Sequence, residues 1–252
     1  MSVYVLYFSP TNSTEKIVKI IANEFGNYQE IDLSERNGIF NHSFNKEDIC
    51  IIGVPSYGGR VPSVALERIK GFKGNNAKAV LVVSYGNRAY EDTLRELSEC
   101  VTNGGFCCVA GVTAIAEHSI MHQFATGRPD KEDKEELVQF SRKILDKIKS
   151  NAVCDKLEFP GNYPYREYKG VPLKPTAGKE CTDCGLCAKL CPVGAISVKE
   201  PKKTDTKLCI SCMRCIDVCP NNARKLNPIL LKVASKKIEG ACEKRKENEL
   251  FI

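Results

Sequence analysis

Two sets of cysteines at matched spacing are the residues best suited to chemistry in this chain. Cys181, Cys184, Cys187 and Cys191 precede Pro192, and Cys209, Cys212, Cys215 and Cys219 precede Pro220. Each set reads C-x2-C-x2-C-x3-C-P, so the same spacing occurs twice. Three closely spaced thiolates can wrap one face of a four-iron cubane, and the fourth iron then needs a sulfur from elsewhere. Eight such thiolates suffice for two 4Fe–4S clusters. Zinc sites use one or two CxxC pairs with longer gaps. Disulfide frameworks suit short secreted chains, whereas Met1-Ser2-Val3 runs directly into an apolar segment with no signal peptide. The expected setting is a reducing cytoplasm, in an organism exposed to little oxygen. The two prolines are expected to end short helices and turn the chain.

The repeated run resembles the ligation run of bacterial two-cluster ferredoxins. That resemblance implies crossed ligation, in which the fourth cysteine of each copy serves the other cluster. One cluster would take Cys181, Cys184, Cys187 and Cys219, and the other Cys209, Cys212, Cys215 and Cys191. The formal charge of +6 then loses its meaning as a signal for nucleic acid. Two oxidised clusters with their thiolates carry about −4 and a flavin phosphate about −2, which cancels it. Basic stretches at 199–207 and 224–246 read as solvated surface, or as charge compensation for the clusters or a dock for an acidic partner.

The elements that must position these groups are legible as periodicity. Apolar runs at 3–8, 28–33, 48–54, 77–84 and 106–116 read as buried parallel strands. Amphipathic segments opening at Ser13 and Pro62, then at 90–102 and 131–149, read as helices between and after them. This alternation predicts an α/β doubly wound five-stranded parallel sheet, with a second, small α+β ferredoxin-like domain. The expected divisions are 1–150 for the first domain, 151–178 for a connector, 179–228 for the cluster domain, and 229–252 for a helix and tail. Pro160, Pro164, Pro172 and Pro175 mark the connector as extended, while Phe159, Tyr163, Tyr165 and Tyr168 argue that it packs rather than dangles. A helix is expected over 228–246, and the apolar Leu250-Phe251-Ile252 ending is expected to be tied down.

In such sheets a ligand sits at the carboxyl ends of the strands, where strand order reverses. Three loops fall there. Ser9-Pro10-Thr11-Asn12-Ser13-Thr14 is rich in hydroxyls and opens a helix, a site for an anion. Pro55-Ser56-Tyr57-Gly58-Gly59 combines an aromatic face with glycines that allow close backbone approach. Ser84-Tyr85-Gly86-Asn87-Arg88, continuing to Tyr90, offers a second aromatic. No GxGxxG follows the first strand, which argues against a dinucleotide site. The first loop resembles the flavodoxin phosphate loop, T/S-x-T-G-x-T: Ser9, Thr11 and Thr14 match, and Asn12 stands where glycine is usual. The other two resemble flavodoxin ring-binding loops. The resemblance implies the sheet order 2-1-3-4-5 and FMN as cofactor.

The phrases Tyr85-Gly86-Asn87-Arg88-Ala89-Tyr90, Ala116-Glu117-His118-Ser119 and Gly127-Arg128-Pro129-Asp130, followed by the cysteine runs, extend the resemblance. Together they are similar to the flavodoxin–ferredoxin fusion proteins of anaerobes. That similarity implies the fold and the cofactors, FMN and two 4Fe–4S clusters, and not a settled reaction. With a two-electron flavin and one-electron clusters on one chain, the expected function is electron transfer between them, converting between one- and two-electron carriers. The alternative is a flavin-dependent reductase of a small acceptor, a quinone, nitro compound or oxygen species, fed by its clusters. Redox proteins are the expected partners, with no nucleic acid and no membrane span. A homodimer would be obligatory only if the clusters served the flavin of a second chain. His118 and His122 stand four apart beside Glu117, but a metal site would need a firm helix and a further ligand, so His118 is weighed as a structural histidine or as a group beside the flavin or the domain contact. Arg60 and Arg88 are read as surface or domain-contact residues. Cys50, Cys107 and Cys108 are expected to be buried as small apolar residues, Cys100 to sit on a helix, and Cys154 and Cys242 to be free thiols.

Overall fold

The computed structural model describes residues 2–150 and 157–252. Its first part alternates strands and helices: β1 (Val3–Tyr7), α1 (Ser13–Asn23), β2 (Tyr28–Asp32), β3 (Ile49–Pro55), α2 (Ser63–Ile69), β4 (Lys78–Tyr85), α3 (Thr93–Asn103), β5 (Cys107–Ile115) and α4 (Lys131–Lys149). The strands run parallel in the order β2-β1-β3-β4-β5, the flavodoxin-like doubly wound arrangement. Each face of the sheet is covered by its own helix pair. Ile17, Val18 and Ile21 of α1 meet Leu137 and Ile144 of α4 over one face. Ala65 and Ile69 of α2 meet Leu94, Leu97 and Val101 of α3 over the other. The inner strands are therefore buried on both sides, which is why they read as continuous apolar runs.

The sheet has six strands rather than five. β8 (Glu249–Phe251) adds antiparallel to the free edge of β5. The tail is tied down, as its apolar ending suggests, and it protects an edge that would otherwise be open. The helix expected over 228–246 ends sooner, as α7 (Pro228–Cys242). Asn87 explains the early stop. Its Nδ2 donates to the carbonyls of Cys242 at 2.7 Å and Lys244 at 2.9 Å, drawing the chain out of the helix toward β8. Likewise α3 starts at Thr93 rather than 90. The Asp92 carboxylate, at the N-cap, accepts instead from the Asn162 and Arg166 N–H groups of the connector, both under 3 Å.

The second part is small. Each cysteine triplet leads into a four-residue helix, α5 (Leu186–Lys189) or α6 (Arg214–Asp217), and β6 (Thr176–Ala177) pairs antiparallel with β7 (Arg224–Lys225). The described connector is packed. Phe159 meets Phe251 edge to face at 6.2 Å, and Arg60 lies over the Tyr165 ring while donating to the Arg166 carbonyl at 2.7 Å. Arg68 bridges the two parts, donating to the Pro192 carbonyl at 2.8 Å. Among the described residues no helix is long and apolar enough to cross a membrane.

Candidate functional site

A cavity of about 470 Å³ lies at the carboxyl ends of β1, β3 and β4. Ser9, Thr11, Ser13 and Thr14 line it beside the start of α1. The N-cap residue Asn12 sits at φ 61°, in the left-handed region asparagine tolerates, and its side chain makes no cap bond. Ser9 Oγ accepts from the Glu15 N–H of the first turn at 3.0 Å. The remaining N–H groups at the start of α1 and the surrounding hydroxyls lie beside the cavity, and this donor set fits a phosphate. Thr14 and Ser84 hydroxyls already share a hydrogen bond of 2.7 Å, which joins the β1 and β4 loops.

Pro55, Ser56, Tyr57, Gly58, Ser84, Tyr85, Gly86 and Arg88 line the remainder of the sheet side. Two glycines are required by close approach. At Gly58, where φ is 60°, an added Cβ would come within 2.4 Å of the Tyr168 ring. At Gly86 it would come within 2.6 Å of the His118 ring. Four residues expected at the site stand behind the lining. Asn12 occupies the N-cap position of α1, Gly59 faces Glu91, Asn87 grips the tail, and Tyr90 packs edge-on against Tyr85 with its hydroxyl on Glu249. Their task is to hold the loops that form the wall. Arg88 is held by two hydrogen bonds to the Glu91 carboxylate, at 3.0 and 2.7 Å.

His118 also lines the cavity. Its Nδ1 accepts from the N–H groups of Ile120 at 3.1 Å and Met121 at 3.2 Å, so the neutral ring carries its proton on Nε2. Burial pushes its pKa down to about 4. His122 is instead exposed and bonds Glu117 at 2.7 Å, so the two histidines do not act together.

The eight cysteines form two further cavities. Cys181, Cys184, Cys187 and Cys219 line one, and Cys191, Cys209, Cys212 and Cys215 line the other. The fourth cysteine of each repeat crosses to the other set. Among the described residues no three His, Cys, Asp or Glu side chains close around a single ion. The sulfurs stand around a space instead, as a polynuclear cluster needs and as zinc, with thiolates at about 2.3 Å, does not. The surroundings fit charged sulfur. The N–H groups of Ala195 and Ala223 donate to Cys191 and Cys219 Sγ, each at 3.3 Å. Arg224, 2% exposed, donates from Nε to Cys187 Sγ at 3.3 Å. Arg214 lines the other cavity, and its buried Nε has no hydrogen-bond partner among the described residues, a donor left for a group in that cavity. Burial pushes the Cys212 and Cys215 thiols up to about 12, whereas N–H donors hold Cys219 below the ordinary range against its own burial. The first two therefore need a metal's positive charge to become thiolates.

The sheet cavity and the second cysteine cavity share a wall. Ile210 and Ser211, the two residues between Cys209 and Cys212, line the sheet cavity. Ile210 lines both. Tyr57 stands at this wall: its hydroxyl is raised well above the ordinary range by burial, with the ionisable Cys212, Tyr168 and Cys209 side chains close by. The opposite roof comes from Tyr168 to Leu173 of the connector and Leu230, Val233, Lys237 and Ile238 of α7. α7 is seated there by Leu173, Met121 and Phe124 against Leu231 and Ile238.

Several of these roles have no local sequence signature. Asn87 and Arg128 look like loop residues, yet both hold the tail, Arg128 by donating to the Lys246 carbonyl at 2.7 Å and by its buried pairing with Asp133. Arg60 and Arg88 are partly buried in ion pairs rather than free at the surface. Arg224 falls in a basic stretch that reads as solvated surface, and a fully buried arginine there is signalled only by its place after a Cys-Pro turn. Cys50 and Cys107 are buried, Cys108 is partly buried and Cys100 lies on α3. Cys242 is a free, buried thiol on α7, whereas Cys154 lies outside the described residues.

Residues 180–223 match the family of 4Fe-4S dicluster domains. No curated protein sequence matches the chain. Among solved structures, the chain is similar to the rubredoxin oxygen:oxidoreductase of the anaerobe Desulfovibrio gigas, at 19% identity over 60% of this chain and TM-score 0.43. It spans 37% of that protein's length. It is also similar to the flavodoxin of Streptococcus pneumoniae TIGR4, at 17% identity over 58% of this chain and 99% of the other, with TM-score 0.42. The Fusobacterium nucleatum flavodoxin bound to flavin mononucleotide gives 17% identity, 58% and 98% coverage, and TM-score 0.40. At these identities the likeness concerns the fold alone. The chain joins a flavodoxin-like α/β domain to a 4Fe-4S dicluster domain.

Proposed function

We propose that this chain is an electron-transfer iron–sulfur flavoprotein of the flavodoxin–ferredoxin fusion family, with FMN in the sheet cavity and a 4Fe–4S cluster in each cysteine cavity. When bound, FMN exchanges one or two electrons and each cluster exchanges one, so the chain converts between one- and two-electron carriers. The observation that carries the proposal is the shared wall. Ile210 belongs to both the sheet cavity and the second cysteine cavity of the same chain.

Each set of residues has a defined task. The start of α1 with Ser9, Thr11, Ser13 and Thr14 would hold the phosphate. Tyr57 and Tyr85, between glycines that let the backbone approach, would hold the ring. His118 stays neutral at pH 7 and offers an Nε2 proton to whatever fills the cavity. The roof formed by the connector and α7 limits water, which lowers the local dielectric. Relay needs no acid or base, and it needs no second chain when the shared wall lies within one. A homodimer is thus compatible but not required, and a reducing cytoplasm is the setting that suits the free thiols.

A second reading, a reductase of a quinone, nitro compound or oxygen species, is favoured by Arg88 and His118, which both line the cavity. Protein purified without air is expected to contain about eight iron, about eight sulfide and one FMN per chain. About four iron, or stoichiometric zinc, would overturn the two-cluster proposal. Steady multiple turnover of a quinone by the reduced protein would favour the reductase over the carrier.

A further inference from the structure

Beside Cys184, an open depression of about 390 Å³ is lined by Arg36, Leu186, Lys189 and Val198. Cys184 also lines it, and it is the one exposed cysteine of the eight. The floor is apolar: Leu186 is 37% exposed and Val198 is 64% exposed. The rim is cationic. Among the described residues neither Arg36 nor Lys189 has an ion-pair partner. Two carboxylates of the same loops are already neutralised, Asp183 by Lys202 at 2.9 Å and Glu200 by Lys203 at 2.6 Å. Exposed Lys199 and Lys207 add further positive charge nearby in the chain. Arg36 lies close to Gly194 across the domain contact, where an added Cβ would come within 2.7 Å of its guanidinium.

We propose that this depression is the docking site of a small acidic one-electron carrier protein, an inference that rests on the relay reading of the first cysteine cavity. Exposed apolar side chains at the centre and unpaired cations at the rim match a partner whose redox group lies at an apolar edge ringed by carboxylates. The opposite charges draw the carrier in and orient its edge toward Cys184. The exchange is of one electron. The carrier loses it, the group held by Cys181, Cys184, Cys187 and Cys219 gains it, and no bond or proton is involved. A second copy of this chain is a poorer occupant, because it would present the same cations.

The test uses the intact anaerobic protein, with an oxidised acidic ferredoxin as probe and a basic cytochrome c as counter-probe, each titrated calorimetrically. The ferredoxin is expected to bind, and to bind about tenfold or more weakly when salt rises from about 20 to about 200 mM. Lys189→Glu alone, and combined with Arg36→Glu, is expected to weaken binding about tenfold or more at low salt while iron and flavin contents stay unchanged. Unchanged ferredoxin affinity in K189E would overturn the proposal. So would equal binding of the basic cytochrome, or self-association that K189E abolishes. Failure of the relay reading is separable: it shows as absent cluster-to-flavin transfer in the unmodified chain, which these affinities do not report.

Discussion

The two cysteine quartets share one spacing and stand in opposite surroundings. Cys181, Cys184, Cys187 and Cys219 line the outer cavity, outer in that Cys184 is exposed there, and Cys187 is touched by the buried Arg224. Cys191, Cys209, Cys212 and Cys215 hold a cavity against the sheet domain, where Cys191 and Cys212 are buried and Arg214 keeps a free donor. The repeat therefore specifies ligation, while the rest of the fold specifies what each site faces. The outer quartet includes an exposed cysteine, and the inner one shares a wall with the sheet cavity. Solvent exposure, charge and hydrogen bonds to sulfur set cluster potentials, so identical motifs need not be equivalent.

Removing the crossing ligands breaks the comparison most severely. Cys219→Ala is expected to empty the outer site although Cys219 lies in the second repeat, and Cys191→Ala to empty the inner one. Each loss is about four of about eight iron atoms, read by iron analysis and electron paramagnetic resonance. If Cys219→Ala instead removes the inner cluster's signal, ligation is not crossed. A related expectation is oxygen sensitivity: brief exposure to air should bleach the outer cluster first, because Cys184 is exposed there.

The next effect lies at the flavin end. Thr11→Ala with Thr14→Ala is expected to weaken FMN while leaving iron content intact. Each hydrogen bond lost to the charged phosphate should cost about 1.5–3 kcal/mol. Fluorescence titration of the apo-flavin protein measures it, and unchanged affinity would reduce the two residues to a loop brace through the Thr14–Ser84 contact.

Much of this was legible because it is local. The apolar runs, the hydroxyl-rich turn before α1 and each cysteine run are written in short local stretches. They are enough for the alternation of strands and helices, the three cavity loops and the cysteine repeat, whereas the strand order and the crossing of the fourth cysteines rest on the resemblance to flavodoxins and two-cluster ferredoxins. The parts that were not legible join distant segments. Asn87 grips carbonyls 155 and 157 residues away, and nothing near position 87 signals that partner. The roof of the sheet cavity comes from α7 and the connector, whose apolar residues read only as packing surface. β8 is three residues long, too short for a periodic pattern. Arg224 carries a charge that pattern reading sends to solvent, whereas three carbonyl or hydroxyl acceptors and one sulfur make its burial tolerable.

The two arginines sharpen the comparison on a finer scale. Arg224→Gln is expected to lower the outer cluster's potential, and Arg214→Gln the inner one's, each by tens of millivolts, since a cation near the cluster stabilises its more negative reduced state. Redox titrations monitored by electron paramagnetic resonance report each site separately. A shift of the same cluster by both substitutions would contradict the assignment. The smallest expected effect concerns His118. A pKa lowered by burial means the folded state resists protonation, so the neutral ring contributes stability above the unfolded value near 6.5 that is lost as pH falls toward about 4. Stability should fall with a slope approaching about 1.4 kcal/mol per pH unit inside that window, and His118→Gln should flatten it. Denaturant unfolding of both proteins across the upper half of the window checks this.

The central claim is that one chain contains the whole route from its outer quartet to its sheet cavity. The direct measurement is a one-electron laser-pulse reduction of the anaerobic protein, with flavin absorbance followed over about a hundredfold range of protein concentration. Transfer into the flavin is expected to be first order, with one rate constant throughout and no change under conditions where the chain is monomeric. A rate that scales with concentration, or that disappears in the monomer, would place the partner cavity in a second chain and contradict the account.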